Sequence, residues 1–150
     1  MLILKRTTSD DIDFQQLVVQ LDAYLRIMDG DEHAFYAQYN KIDSLQQVIV
    51  CYNNDEAIGC GAFKKYDEES VEIKRMFVLP TFRGKGVAAV ILSKLEKWSV
   101  ELNYRFTVLE TGKRQVEAVK FYLKYGYEII PNYGQYEFVE NSVCMKKKNQ

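Results

Sequence analysis

Val78-Leu-Pro80-Thr-Phe-Arg83-Gly84-Lys85-Gly86-Val87-Ala88-Ala-Val-Ile91 is the stretch that decides how this chain folds. An apolar run closes at Val78, and Pro80 cannot continue a strand ladder. Val87, Ile91, Leu95, Trp98 and Leu102 then recur at steps of three and four, which predicts an amphipathic helix from about Gly86 to Leu102. Strand, Gly-Lys-Gly loop and helix in that order make an anion site. Glycines let backbone approach an oxyanion closely, and the free N–H groups of a helix N-terminus point at it. Arg83 and Lys85 add positive charge.

Two familiar phosphate loops fit poorly. A P-loop needs a hydroxyl residue after its lysine, and Lys85 is followed by Gly86. Gly84, Gly86 and Ala89 match the dinucleotide pattern, and Glu110 stands near where a ribose-binding acid would fall. Five residues, however, separate the strand from the first glycine. The preceding strands read as hairpins, and only about sixty residues follow Ala89, too few for a second mononucleotide half.

Upstream, Leu2 to Arg6 reads as a first strand. Thr8 and Ser9 are capping residues, with Asp10, Asp11 and Asp13 expected in the first turn of a helix carrying Ile12, Leu17, Leu21, Tyr24, Leu25 and Met28. Asp29-Gly30 ends it. Asp31 to Asn40, with His33, Phe35, Tyr36 and Tyr39, predicts a second helix. Gln47–Tyr52 and Ala57–Phe63 flank a hairpin turn at 53–56, and Val71–Val78 is a further strand. Downstream, Arg105–Leu109 is a strand, Gln115–Tyr125 a short helix stopped by Gly126, and Tyr127–Ile130 and Ser142–Met145 the last strands. Lys146-Lys147-Lys148 reads as a solvated tail.

Composition limits the function. With 150 residues, 47% hydrophobic and 27% charged, the chain suits one globular domain spanning 1–150. A net charge of −1 argues against a nucleic-acid or membrane-surface partner. Met1-Leu-Ile-Leu before Lys5-Arg6 is too short for a signal peptide, so a cytoplasmic location is expected. Cys51, Cys60 and Cys144, an odd count without CxxC spacing, read as reduced, buried thiols and not as a metal site.

Arg83-x-x-Gly86-x-Ala88 resembles the coenzyme A pyrophosphate signature of the GNAT acyltransferase superfamily. Val71–Pro80 resembles the strand preceding that signature. Glu117-Ala118-Val-Lys-Phe121-Tyr122-Leu-Lys-Tyr-Gly126-Tyr127 resembles its second cofactor motif. Leu109–Gly112, Ile130–Gly134 and Ser142–Cys144 resemble a bacterial-type branch. The resemblance implies an α/β fold of the α+β kind: a mixed, mostly antiparallel sheet of about six to seven strands, flanked by about four helices, with a splayed strand pair holding acetyl-CoA.

It further implies transfer of an acetyl group from acetyl-CoA to a primary amine of a small molecule, amino acid or peptide, by a monomer or homodimer. A protein lysine acetyltransferase and a non-catalytic acyl-CoA sensor are the alternatives. Cofactor contacts are expected at Met76, Phe77 and Val78, through main-chain N–H groups. Others are expected at Arg83, Gly84, Lys85, Gly86, Val87 and Ala88, at Tyr122, and at Gln115, which stands where many members carry asparagine. The resemblance makes Tyr122 the proton donor to the leaving sulfur and Glu72 the candidate base. Tyr24, Phe35, Tyr36, Lys74 and Tyr133 are expected to face the acceptor, with Tyr39 and Tyr136 nearby. Lys74 and Arg75 fall on opposite faces of their strand unless a bulge intervenes, and one of them is suited to an acceptor carboxylate.

Overall fold

A computed structural model of the chain describes residues 1–30 and 44–150. The strands are β1 (Leu2–Thr7), β2 (Gln47–Asn53), β3 (Glu56–Lys65), β4 (Ser70–Val78), β5 (Phe106–Gly112), β6 (Glu128–Ile130) and β7 (Ser142–Lys148). The described helices are α1 (Ile12–Asp29), α2 (Val87–Glu101) and α3 (Val116–Lys124). Among the described residues, the strands form a single seven-stranded sheet in the order β1-β2-β3-β4-β5-β7-β6, antiparallel except where β4 meets β5. The predicted helix at Asp31–Asn40 lies outside the described residues.

Alternation along β2 explains the two layers. Val48 and Val50 turn to one face, where they pack with Phe14, Leu17, Val18 and Leu21 of α1. Ile49 and Cys51 turn to the other, against Ile91, Leu92 and Leu95 of α2. Gly59 and Gly61 on β3 let α2 lie close. A Cβ on Gly61 would come within 2.5 Å of Met76 Sδ and 2.9 Å of Leu95 Cδ1.

The feature that shapes β4 is a bulge. Cys60 faces Phe77 and Ala62 faces Lys74, so Gly61 alone opposes both Arg75 and Met76. Arg75 takes a left-handed φ of 60°, uncommon for a residue with a side chain. The extra residue reverses the facing of the strand. Val71 and Ile73 pack on the α2 side, whereas Phe77 packs on the α1 side. Burial of Cys60 places its thiol to donate to the Arg75 carbonyl at 3.3 Å, holding the bulge.

Three expectations are corrected. Asp11, not Thr8 or Ser9, caps α1: its carboxylate accepts from the Phe14 N–H at 3.0 Å. Ser9 is instead buried, its hydroxyl accepting from the Leu45 N–H at 3.1 Å. Lys146, Lys147 and Lys148 are not a tail but belong to β7, paired with Val108, Thr107 and Phe106. Lys147 Nζ lies 3.1 Å from Glu96, which also accepts from the Tyr127 hydroxyl at 2.7 Å. Leu102 is 44% exposed and ends the apolar face of α2 early, at Trp98. The three cysteines are free and buried. Burial pushes the Cys60 thiol up to about 12 and Cys144 up to about 11, so neither supplies a thiolate near neutral pH.

Candidate active site

The cleft begins where β4 and β5 part. Their parallel pairing runs only over Ser70–Phe106, Val71–Thr107 and Glu72–Val108. Beyond that, β5 stays with β7 as far as Gly112–Ser142, while β4 leaves with β3. The Leu79 N–H donates to the Ile58 carbonyl at 2.8 Å, on the β3 side. Alternation therefore turns the Val78 and Met76 N–H groups to the opposite edge, facing the gap. The gap is a cleft of about 130 Å³. Glu72, Lys74, Arg75 and Met76 line it from β4, Glu110 and Thr111 from β5, and Gln115 and Tyr122 from the α3 side. Leu21 and Leu25 of α1 close it with an apolar wall, and Tyr136 lies on the late loop.

Glu72 is buried, with 3% of its surface exposed, and its carboxylate is held from two sides. The Tyr133 hydroxyl donates to Oε2 at 2.7 Å, and Lys74 Nζ lies 3.5 Å from Oε1. Tyr133 in turn packs edge-on against Tyr66 and Tyr136. Burial, reinforced by the Glu72 charge, raises the Tyr133 phenol far above its ordinary range. Tyr122 is buried in the same wall between the rings of Phe121 and Tyr127, and burial alone raises its phenol. It stays protonated at any pH a cell reaches.

The glycine loop stands at the end of β4. Gly84 (φ 76°) and Gly86 (φ 82°) are both left-handed, and a Cβ on either would meet nothing within 4 Å. Gly86 is the N-cap of α2 without any side-chain cap, so the first-turn N–H groups of Val87, Ala88 and Ala89 open onto that space. An anionic group fits this hollow, which is bounded by backbone donors and the macrodipole's positive end. Arg83 is more tightly fixed than a loop cation need be. Its Nε donates to the Val78 carbonyl at 2.9 Å, and its guanidinium lies 5.2 Å from the Tyr24 ring and 5.5 Å from the Phe77 ring. Lys85 lies over Phe82.

The structure thus brings Glu72, Lys74, Met76, Gln115 and Tyr122 to one cleft, with Arg83 to Gly86 on the loop that follows β4 and Val87 and Ala88 in the first turn of α2. Tyr24 contacts Arg83, and Tyr133 contacts Glu72. The Phe77 side chain is buried in the α1-side core, and alternation turns its N–H to β3, away from the gap, so the main-chain contact expected there is not offered. His33, Phe35, Tyr36 and Tyr39 lie outside the described residues. Lys74 and Arg75 both reach the cleft, because the bulge overrides simple alternation. The sequence reading missed the burial of Arg75 and its pairing with Asp22 at 2.7 Å. Its signal was a cation pair within a strand that is apolar on either side of it, at Ile73 and at Met76–Val78. Leu21 and Leu25 also went unassigned to the site, since helical periodicity marks them only as core.

A model of the acetyltransferase (GNAT) family matches residues 15–127. An IAA acetyltransferase of Azospirillum brasilense is 31% identical over 140 residues, 88% of each chain. The structure of a Klebsiella pneumoniae protein assigned to the acyl-CoA N-acyltransferases is 26% identical, with a TM-score of 0.83, and the match covers 100% of this chain and 99% of that one. A GNAT family acetyltransferase of Elizabethkingia anophelis, solved with acetyl-CoA bound, has the same fold at a TM-score of 0.68, with 19% identity over 98% of this chain and 97% of the other.

Proposed function

Because the chain belongs to the GNAT acetyltransferase family, we propose that it transfers an acetyl group from acetyl-CoA to a primary amine of a small molecule, amino acid or peptide. The observation that carries this reading is the early end of β4–β5 pairing, which leaves the Met76 and Val78 N–H groups facing the gap, with an open glycine loop following β4. Acetyl-CoA, when bound, supplies the thioester carbon that a neutral amine attacks.

The chain's residues divide the remaining work. Backbone N–H groups of the loop and of the first turn of α2 hold the pyrophosphate, and Arg83 keeps the loop tied to the end of β4. Val78 and Met76 offer main-chain donors to the extended arm in the manner of an added strand. The Met76 N–H would offer its hydrogen to the thioester carbonyl oxygen as negative charge develops there; such a donor is worth ~10²–10³ in rate. Glu72 accepts the amine proton through water, in an orientation fixed by Tyr133. Tyr122 gives a proton to the sulfur as it leaves. Gln115, the N-cap of α3, adds an amide at the cleft edge.

Thiol release from acetyl-CoA with a panel of amines tests the reading, alongside calorimetric titration of acetyl-CoA. Binding with amine-dependent release is expected. Tight binding with no release to any amine would identify an acyl-CoA sensor instead.

A further inference from the structure

We infer that Arg75 is the acceptor's carboxylate anchor, so that the favoured acceptors are amines bearing a nearby carboxylate, as in an apolar amino acid. This rests on the acyl-transfer reading above. The Arg75 side chain is only 5% exposed, yet it lines the cleft. A guanidinium carries five N–H donors in a rigid fork, and a buried one ordinarily has them satisfied. Arg75 has one such partner among the described residues: Nη1 donates to Asp22 Oδ1 at 2.7 Å. Asp22 lies on α1 with its side chain 49% exposed, so it holds the guanidinium from the rim. The other donors of the fork have no described protein acceptor and stand at the cleft.

The neighbours sharpen the assignment. Lys74, the other cation of the cleft, is occupied by Glu72, so it does not compete for an incoming anion. The bulge sets Arg75 apart from the alternation of β4 and puts it next to Met76, whose N–H faces the gap. An amine that reaches the Glu72 side of this cleft lies within a few residues of the guanidinium along the same strand. Leu21 and Leu25 offer an apolar surface beside it. Positive fork, buried carboxylate and apolar wall together match the carboxylate, amine and side chain of an apolar amino acid.

The test compares leucine and phenylalanine with their amides and with their decarboxylated amines, reading kcat/KM by thiol release. The amides are the sharper control: their amines lose a proton more readily, so intrinsic reactivity at neutral pH favours them. The acids are expected to exceed the amides by on the order of 10- to 100-fold, mostly through KM, as one charge-assisted hydrogen-bond pair would give. Arg75→Lys keeps the charge but loses the fork, and should pull that ratio towards one. Asp22→Asn alters a half-exposed position and removes a competing negative charge, so it should lower KM for the acids. Equal rates for acids and amides, or a ratio untouched by Arg75→Lys, would overturn the inference while leaving acyl transfer intact. So would a higher KM in Asp22→Asn. Release to none of these amines or to any other would remove the acyl-transfer reading and this inference together.

Discussion

The Tyr133 hydroxyl donates to Glu72 at 2.7 Å across 61 residues of chain, joining the late loop to the first part of β4. Glu72 is thereby a fixed group, and Tyr133 is its positioning residue, not simply an aromatic lining residue. Tyr133→Phe keeps the ring packed edge-on against Tyr66 and removes only the donor. A buried carboxylate oxygen left without that bond should cost about 1–3 kcal/mol, measurable by urea denaturation. Its kcat/KM should also fall, because the carboxylate is no longer held in one orientation. An unchanged kcat/KM with lowered stability would make Tyr133 a packing residue only.

The glycine loop gives a second prediction. Gly86→Ala should leave the fold intact, since the new Cβ meets nothing within 4 Å, but a residue with a side chain at φ 82° costs about 1–2 kcal/mol. The methyl group would stand in the hollow before α2. Acetyl-CoA affinity, by calorimetry, should fall by more than about tenfold, the equivalent of one lost charged hydrogen bond. Wild-type affinity would place the pyrophosphate elsewhere.

High pH should unfold the protein cooperatively. Tyr122, Tyr127, Tyr133 and Tyr136 all have phenols raised by burial above the ordinary value, with the charges of Glu96, Glu72 and Glu110 adding to the effect on the last three. The unfolded chain releases these protons near pH 10, while the folded chain keeps them, so deprotonation favours unfolding. Stability is fully present below about pH 10 and falls as pH rises, by up to about 1.4 kcal/mol per pH unit for each such group. Tyrosinate absorbance and far-ultraviolet circular dichroism should change together. Tyrosinate appearing at all four sites with the helices intact would contradict the burial argument.

Much of this was legible in the sequence, for local reasons. The hairpin at 53–56, the proline after β4 and the glycines before α2 are set by backbone preferences of single residues, so the pattern reveals them. What escaped depends on distant partners. Thr8 and Ser9 look like caps as much as Asp11 does, and only the Ser9–Leu45 contact decides between them. The three lysines of 146–148 look solvated until β5 is seen to pair with them. Asn149 extends the same edge, its backbone N–H donating to the Arg105 carbonyl at 2.7 Å and its amide bonding to Ser99, Tyr104 and Thr107. Arg75 is the most telling case. Alternation would put it opposite Lys74, and a bulge opposite Gly61 is a property of two strands, not of either one.

The last prediction separates the two proposed proton carriers. Tyr122→Phe removes one hydroxyl from a buried ring and little volume, so acetyl-CoA binding should survive. If protonation of the leaving sulfur limits the rate, kcat should fall by ~10²–10⁴, the usual contribution of a general acid. Because burial keeps the Tyr122 phenol protonated, that defect should be flat from pH 6 to 9. Glu72→Gln retains an oxygen for Tyr133 but cannot take a proton. Its defect should appear in kcat/KM, be largest on the acidic side, where the amine arrives protonated, and shrink as pH rises and free amine becomes abundant. The measurement is a pH–rate profile of both variants with the best acceptor found. Near-wild-type rates for Tyr122→Phe throughout would take it out of the mechanism. A Glu72→Gln defect that is constant with pH would make Glu72 a supporting group for Lys74 and Tyr133 and leave proton removal to water.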